Sequence, residues 1–241
     1  MKAIILAAGL GTRLKPLTSE CPKPLVKVNG KPMIETQIEC LLEKGIKDIK
    51  VAVGYLKEKF YYLAEKYNVE LIYNNKYDIY NNIYTMYLLR EHLPDSYVIE
   101  GDVYICNNFI DPDIKESTYF TLYKENFNNE FIFKFDENNK VCDMYVGDNK
   151  GYILCGVSYW SLTDGNIIAK KLEETIENGD FESLFWDDVV MKNKDALNMY
   201  IQKIDFKDCF EIDNEKDLRF SEKCIVQNNK FTMKKILQYS K

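Results

Sequence analysis

The chain has 241 residues, of which 46% are hydrophobic and 29% are charged, and this composition excludes a wholly disordered protein. The length suits one large α/β domain with a substantial core. A net charge of −6 lacks the basic excess of proteins that bind nucleic acids or acidic membranes, so we expect neither partner.

In the first hundred residues, apolar runs typical of buried strands alternate with helical patterns. The predicted strands cover 2–8, 48–55, 69–74 and 96–102. The predicted helices cover 32–45, 56–67 and 81–93. Pro32 suits the first turn of its helix, and Gly45 suits its end. The alternation predicts a Rossmann-like, mostly parallel α/β sheet with helices on both faces.

After residue 110 the pattern becomes richer in strands. They are predicted over 117–123, 131–135, 140–146 and 152–160, with a turn at Asp136–Asn139. Helices follow over 164–178 and around 183–193, then a strand over 198–204, and a short run at 210–213 precedes a last helix. Because no repeat or linker interrupts the chain, we expect a single domain over 1–241 with an inserted β-rich lid.

The cysteines and the first residues bear on location. Seven cysteines are scattered through the chain without a C-x-x-C pair, which is typical of reduced thiols. The apolar start KAIILAA is too short for a signal peptide, and no segment has the length of a membrane span. We expect a cytoplasmic protein, and the sequence leaves its oligomeric state open.

The loop after the first strand is the most distinctive segment of the chain, and it contains GLGTR and, further on, PKPL. Such a loop lies at the carboxyl edge of a parallel sheet, where these folds bind ligands. Gly9 and Gly11 permit close backbone approach, and their N–H groups suit an anion. Arg13 and Lys23 add two positive charges, and two prolines restrict the backbone around Lys23.

Two known phosphate-binding patterns do not fit this loop. The dinucleotide fingerprint needs a third glycine where the chain has Leu14, and the P-loop needs Gly-Lys-Ser/Thr, which is absent. A glycine pair alone is equally typical of a plain tight turn. Together with Arg13 and Lys23, however, it favours a polyphosphate site.

The pattern LAAGLGTR followed by PKPL resembles the signature of nucleoside-triphosphate transferases that act on sugar phosphates and related phosphomonoesters. The chain also looks close to the bacterial CTP:phosphocholine cytidylyltransferases of this family. The similar segments, spread over nearly the whole chain, are GYLKEKF, YNNKYDIYNNIY, STYF, GVSYW, FWDD and FEID. The resemblance implies a nucleotide-binding half over 1–110 and an acceptor-binding half with the lid over 111–241.

The resemblance implies attack by a phosphate oxygen of the acceptor on the α-phosphorus of CTP, with release of pyrophosphate. A phosphomonoester is already ionised near neutral pH, so no general base is required and His92, the one histidine, is not expected to act. By resemblance, Arg13 contacts the leaving pyrophosphate and Lys23 the reacting phosphates. The implied nucleotide-binding residues are Leu6, Ala7, Ala8, Gly9, Gly11, Thr12, Arg13, Asn81, Asn82 and Thr85.

Neutralising an anion that attacks an anion calls for Mg²⁺, which takes carboxylates together with phosphate. The resemblance gives Asp102 and Asp213 as its ligands, and it makes Asp102 catalytic along with Arg13 and Lys23. Each aspartate also suits a strand end or a helix cap, Asp213 especially, because NEKDL follows it. Glu100 shares a strand face with Asp102 and ranks below it.

Asn81 and Asn82 have two interpretations that the sequence does not separate. Their amides suit a base edge or a ribose. They also stand before a predicted helix, where asparagine is a good cap. Sugar-phosphate members carry a Q-x(n)-G-T-A stretch in this region, and its absence here favours the choline-like branch.

Aromatic side chains bear on the acceptor, because a quaternary ammonium is bound by aromatic faces. The resemblance places Phe131 and Phe185 in the choline pocket, at positions where related enzymes have Trp and Tyr. Trp186, Tyr152 and Tyr159 are the expected neighbours.

Acidic residues near the same positions suit a different acceptor. Glu130, Asp187 and Asp188 would pair with the primary ammonium of phosphoethanolamine or 2-aminoethylphosphonate. In either case the acceptor phosphate would contact Lys23.

We therefore expect a Mg²⁺-dependent cytidylyltransferase that makes CDP-choline from CTP and phosphocholine, or one that acts on a primary-amine phosphate or phosphonate. A sugar-1-phosphate nucleotidylyltransferase is a further alternative. A nucleotide-binding regulatory protein without catalysis is an alternative of another class. The missing third glycine disfavours a nicotinamide oxidoreductase.

Overall fold

The computed structural model describes residues 1–226, and the expected domain extends beyond them to residues 227–241, which lie outside the described part. The strands are β1 (Lys2–Ala7), β2 (Lys27–Val28), β3 (Lys31–Pro32), β4 (Ile49–Val53), β5 (Glu70–Tyr73), β6 (Ser96–Glu100), β7 (Val103–Ile105), β8 (Ser117–Phe135), β9 (Val141–Trp160), β10 (Met199–Lys203) and β11 (Cys209–Glu211). The α-helices are α1 (Met33–Glu43), α2 (Tyr61–Tyr67), α3 (Asn82–Leu88), α4 (Leu162–Asn178) and α5 (Trp186–Lys192). Residues 215–226 are also helical, as expected after the run at 210–213.

Seven strands form one sheet in the order β10-β8-β9-β6-β1-β4-β5. Strands β6, β1, β4 and β5 are parallel to one another. Strand β9 is antiparallel to β6 and β8, and β10 is parallel to β8. The expected mostly parallel α/β sheet is therefore confirmed. Its parallel part brings the carboxyl ends of β1, β4 and β6 to one edge, where the glycine-rich loop begins.

Apolar side chains cover both faces of the sheet. On one face, Ile34 and Ile38 of α1 are completely buried against β1 and β4, as their helical spacing predicts. On the other face, Met86 of α3, Leu172 of α4 and Val190 of α5 are buried in a second cluster. Burial of each side chain of this size contributes about 1.5–3 kcal/mol to the stability of the fold. The packed sheet therefore holds the loops at its edge in fixed positions.

Two predicted helices are shorter than expected. Helix α3 ends at Leu88, and residues 90–92 form a 3₁₀ turn instead of continuing it. The Arg90 guanidinium donates to the carbonyl of Tyr87 at 3.0 Å, which adds a side-chain hydrogen bond at the helix end. Residues 57–60 likewise form a 3₁₀ turn before α2. Among residues 1–226, no helix is both long and apolar enough to cross a bilayer.

The four strands predicted between 117 and 160 are in fact two long strands. β8 and β9 pair around the predicted turn at Asp136–Asn139, and their inner parts belong to the main sheet. Their outer part, residues 123–135 and 141–152, is a two-stranded ribbon. The ribbon bends back toward the main sheet, because Ile132 near its tip also pairs with Ile153 near its base. Phe127 joins these two residues in a small apolar cluster at the bend. The expected lid is thus an extension of main-sheet strands.

Two short strand pairs were not predicted. β2 pairs with β3, and β7 pairs with β11, each antiparallel. Strands of two or three residues are too short to show periodicity in a sequence. The β7–β11 pair matters for function because β7 follows Asp102 and β11 precedes Asp213.

Candidate active site

A cavity of about 360 Å³ opens at the carboxyl edge of the sheet, and this volume suits a small-molecule ligand. The structure brings all the residues predicted to bind nucleotide to its wall, together with Lys23 and Asp102. Tyr77 and Tyr80, which the sequence did not single out, also line it. The lining residues from the prediction are Leu6, Ala7, Ala8, Gly9, Gly11, Thr12, Arg13, Asn81, Asn82 and Thr85.

The glycine-rich loop is packed closely against Lys23. Gly11 has a left-handed backbone with φ of 61°, and a Cβ at this position would lie 2.8 Å from the Cβ of Lys23. Glycine is therefore required there both for conformation and for space. A Cβ at Gly9 would meet nothing within 4 Å, so Gly9 borders open space. Within the described chain, no residue accepts from the backbone N–H groups of Gly9, Leu10 and Gly11, which leaves them available to an anion.

Lys23 lies at the centre of a chain of ion pairs. Its Nζ is 2.7 Å from Asp102 Oδ2 and 2.6 Å from Asp213 Oδ1. The second oxygen of Asp213 accepts from Arg13 Nη1 at 2.7 Å. Burial opposes the charge on Lys23, but the carboxylates of Asp102 and Asp213 outweigh it and raise the pKa of the ammonium group. Lys23 is therefore a fixed positive charge at neutral pH.

Three carboxylates form a cluster beside Lys23. One oxygen each from Glu100, Asp102 and Glu211 lies within 4.8 Å of the others. Burial, followed by the charges of Asp102 and Asp213, raises the pKa of Glu211 to about 8. Burial and then Asp102 also raise the pKa of Glu100 well above its ordinary value. Burial is the main cause of both shifts, and the neighbouring carboxylates add to it.

The backbone brings two similar segments side by side to build this cluster. Each segment has a glutamate and an aspartate two residues apart, Glu100 with Asp102 and Glu211 with Asp213. The β7–β11 pairing sets Glu211 opposite Val103, and the carbonyl of Asp102 accepts from the N–H of residue 212 at 3.0 Å. Glu211 was not among the predicted site residues, although the repeated E-x-D spacing is visible in the sequence.

Asn81 and Asn82 contact another part of the chain. Asn81 Nδ2 donates to the carbonyl of Ser183 at 2.7 Å, and Asn82 Oδ1 accepts from the N–H of Trp186 at 3.0 Å. Neither side chain caps its own helix α3. Nearby, Asn74 Nδ2 donates to the hydroxyl of Thr85 at 2.9 Å, which fixes the position of that hydroxyl at the cavity wall.

Of the residues predicted to bind the acceptor, Lys23 lines the cavity. Those on the ribbon and at the start of α5 do not line it; they are Glu130, Phe131, Tyr152, Phe185, Trp186 and Asp187. Glu130 is close enough to Asp213 and Arg13 for their charges to act on it, although burial is the main cause of its raised pKa. Phe131 packs partly buried against the second core cluster. Phe185 is 47% exposed, and Tyr152 stacks edge-on against Tyr123.

The two residues after Phe185 are buried. Trp186 stacks edge-on against Trp160, with ring centroids 5.7 Å apart. Asp187 Oδ1 accepts from the Tyr119 hydroxyl at 2.9 Å. Burial raises the pKa of Asp187 to about 7, and the hydrogen bond from Tyr119 opposes this shift only in part.

The structure places three other residues away from this site. Tyr159 is buried, and its hydroxyl donates to Asp95 at the opposite end of the sheet, which corrects the expectation that it neighbours the acceptor. Asp188 Oδ2 accepts from the N–H of Phe185 at 2.8 Å, so this carboxylate caps α5. His92 Nε2 lies 3.5 Å from Oδ1 of Asp48. Asp48 directly precedes β4, so His92 lies at the end of the sheet opposite to the cavity.

Comparisons with known proteins agree with this geometry. Residues 2–114 match the family described as nucleotidyl transferase. The choline-phosphate cytidylyltransferase of Streptococcus pneumoniae is 46% identical over 229 residues, which are 95% of this chain and 100% of that protein. The 2-aminoethylphosphonate cytidylyltransferase of Lancefieldella rimae is 37% identical over 90% of this chain and 89% of its own.

A solved structure is also similar over most of the chain. The CTP:phosphocholine cytidylyltransferase of Streptococcus pneumoniae superposes with a TM-score of 0.90 at 47% identity, covering 92% of this chain and 97% of that one. A cavity that sets cationic side chains against carboxylates suits transfer of a nucleotidyl group, which is the chemistry of a nucleotidyltransferase. The chain belongs to the bacterial cytidylyltransferase family that includes the choline-phosphate and 2-aminoethylphosphonate enzymes.

Proposed function

We propose that this protein transfers CMP from CTP to phosphocholine, forming CDP-choline and pyrophosphate. The observation that carries the proposal is 46% identity, over 95% of the chain, to a choline-phosphate cytidylyltransferase. The ion-paired Lys23 and Arg13 beside an open glycine loop support it independently.

The cationic residues provide the electrostatic part of the reaction. The free N–H groups of Gly9 and Gly11 hold phosphate oxygens, and Arg13 and Lys23 exchange Asp213 for the phosphates of CTP. Lys23 stabilises the charge on the α-phosphate as the acceptor oxygen attacks, and Arg13 stabilises the leaving pyrophosphate. Because the acceptor phosphate is ionised near neutral pH, no residue has to remove a proton.

We further propose that the enzyme requires Mg²⁺. Hard carboxylate oxygens are the ligands this ion prefers, and Glu100, Asp102 and Glu211 offer three of them. Asp102 Oδ1 is buried and has no hydrogen-bond partner within residues 1–226, so an oxygen is free for a cation. When bound, Mg²⁺ would neutralise phosphate charge. Asp213, whose oxygens are engaged by Lys23 and Arg13, is a further ligand once phosphates take over those cations.

We place the acceptor between the ribbon and the start of α5. The exposed ring of Phe185 and the face of Phe131 would contact the trimethylammonium group, with Tyr152 at the outer side. Glu130 and Asp187 add two carboxyl groups to the same region; burial raises the pKa of both, and a cation bound beside them would favour their ionised forms. Trp186 supports this wall from within, since it is buried against Trp160.

A second candidate acceptor is 2-aminoethylphosphonate. It is favoured by the relative from Lancefieldella rimae and by the buried carboxyl of Asp187, which would pair with a primary ammonium. On either acceptor, residues 1–110 would bind the nucleotide, and residues from 111 onward would bind the acceptor. The seven free cysteines support a cytoplasmic location.

Phosphorus NMR of a reaction with CTP, phosphocholine and Mg²⁺ tests the proposal. We expect CDP-choline and pyrophosphate in equal amounts, loss of both on adding EDTA, and recovery with excess Mg²⁺. Asp102→Asn should reduce the rate at least a hundredfold, whereas Asp180→Asn, an exposed position, should leave it unchanged. Hydrolysis of CTP without CDP-choline would refute the proposed function.

A further inference from the structure

Two asparagines at the cavity wall hold the segment 183–187, which carries three of the proposed acceptor-binding residues. Asn81 donates to the carbonyl of Ser183, and Asn82 accepts from the N–H of Trp186. These bonds span more than a hundred residues of sequence. They join the start of α3, which lines the nucleotide cavity, to the start of α5.

The start of α5 receives part of its capping from outside the helix. The first N–H groups of a helix have no partner within the helix, and an N-cap side chain normally accepts from one of them. Here the N-cap residue is Phe185, whose ring has no acceptor. Asp188 accepts from the N–H of Phe185, and Asn82 accepts from that of Trp186. Asn82 therefore acts as a cap supplied by a different helix.

Each amide has a second polar group that remains free. Within residues 1–226, Asn81 Oδ1 and Asn82 Nδ2 have no hydrogen-bond partner, and both residues line the cavity. One is an acceptor and the other a donor, which suits a hydroxyl or a base edge of a bound nucleotide. Each side chain can thus contact the nucleotide at one end and segment 183–187 at the other.

We propose that Asn81 and Asn82 are positioning residues through which a bound nucleotide orders the acceptor-binding segment 183–187. This inference rests on the proposed function for the identity of the acceptor. A nucleotide that engages the free end of each amide fixes its rotamer and so fixes the bond at its other end. Nucleotide binding would thereby place Phe185 and Asp187 against the acceptor.

Kinetics of Asn81→Ala and Asn82→Ala with phosphocholine and CTP test the inference. Loss of either bond should raise the KM for phosphocholine about fivefold, while the Kd for CTP changes less than the KM for phosphocholine. Asn193→Ala is the matched control, because Asn193 Nδ2 donates to the carbonyl of Val189 at the other end of α5. Its KM for phosphocholine should equal that of the unmodified protein.

Replacing each asparagine by aspartate distinguishes the role of Asn81 from that of Asn82. Asp keeps the acceptor that Trp186 N–H needs at position 82, but it removes the donor that the Ser183 carbonyl needs at position 81. Both changes add one negative charge to the same cavity wall. We therefore expect Asn82→Asp to have a lower KM for phosphocholine than Asn81→Asp. Equal values, or a lower value for Asn81→Asp, would overturn the inference.

Hydrogen exchange of segment 183–187 provides a readout independent of turnover. CTP should slow amide exchange in this segment in the unmodified protein and should do so less in Asn82→Ala. If CTP slows exchange equally in both, or in neither, the inference fails. If the unmodified protein makes no CDP-choline, the proposed function fails, and the exchange result still decides the inference.

Discussion

Lys23 is the residue on which most of the site depends. Its ammonium group holds Asp102 and Asp213 together and lies where phosphates would bind. We expect Lys23→Met to lower kcat/KM by about 10²–10³, the usual effect of removing one preorganised electrostatic group. Steady-state rates of pyrophosphate release measure this directly.

Lys27 provides the matched control for that experiment, since it is an exposed lysine four residues away. Lys27→Met should keep full activity. If Lys23→Met retained more than a tenth of the activity while remaining folded, Lys23 would have no direct part in the reaction.

Asp187 makes the stability of the protein depend on pH. Burial raises its pKa from an ordinary value of 3.8 to about 7, so the folded protein holds a proton that the unfolded chain releases between these pH values. Its contribution to the free energy of unfolding therefore falls as the pH rises through this range. Asp187→Asn removes this dependence. The free energy of unfolding of the variant, relative to that of the unmodified protein, should therefore increase by about 2 kcal/mol from pH 5 to pH 7.

Urea unfolding at both pH values, without ligands, measures the difference. Asp180→Asn, at an exposed position, should show no such change between the two pH values. A difference for Asp187→Asn that stays constant with pH would mean that Asp187 is ionised in the folded protein.

At the residue scale, the clustering of the proposed nucleotide-binding residues could be predicted from sequence, whereas the surroundings of the proposed acceptor-binding residues could be predicted only in part. The glycine loop and Lys23 lie in one short segment with a specific pattern, and the structure brings them to one cavity. Tyr159 and Asp188 were misplaced because burial and capping depend on neighbours distant in sequence. Glu211 was missed because it joins the cluster only through the β7–β11 pairing.

The ribbon formed by the outer parts of β8 and β9 is the element that carries Glu130 and Phe131. Its bend depends on Ile132, which packs on Phe127 and Ile153. Ile132→Ala should destabilise the fold by about 2–4 kcal/mol and raise the KM for phosphocholine, with little effect on the Kd for CTP. Chemical denaturation and steady-state kinetics measure the two effects.

Val146→Ala is a suitable comparison, because Val146 lies on the same ribbon but is 41% exposed. It should change neither stability nor the KM for phosphocholine appreciably. An Ile132→Ala variant whose KM for phosphocholine is unchanged would show that the ribbon does not shape the acceptor site.

At the scale of elements, strands of the parallel sheet and the long helices were predictable, whereas the ribbon was not. Continuous apolar runs and helical spacing are local signals, and β1, α1 and α4 appear within a few residues of their predicted positions. Strands β8 and β9 were each predicted as two strands because their polar middles, around Asn126 in β8 and Asn149 in β9, break the alternation. Pairing of β8 with β9 across these stretches is a tertiary effect.

At the scale of the whole molecule, the two proposed halves share one sheet. The cavity proposed to bind the nucleotide is lined by residues 6–102, and the proposed acceptor residues on the ribbon and α5 lie between 130 and 187. Strand β9 of the second half pairs directly with β6 of the first, and the asparagine bonds join them again at the cavity. We therefore expect the binding of one substrate to affect the binding of the other through these contacts.

The acceptor specificity is measured by the initial rate of pyrophosphate release from CTP and Mg²⁺, with four acceptors compared in parallel. The acceptors are phosphocholine, phosphoethanolamine, 2-aminoethylphosphonate and glucose-1-phosphate. We expect the highest kcat/KM with phosphocholine and no release above background with glucose-1-phosphate. A preference for 2-aminoethylphosphonate or phosphoethanolamine would contradict the proposed acceptor, and no release with any of them would contradict the proposed reaction.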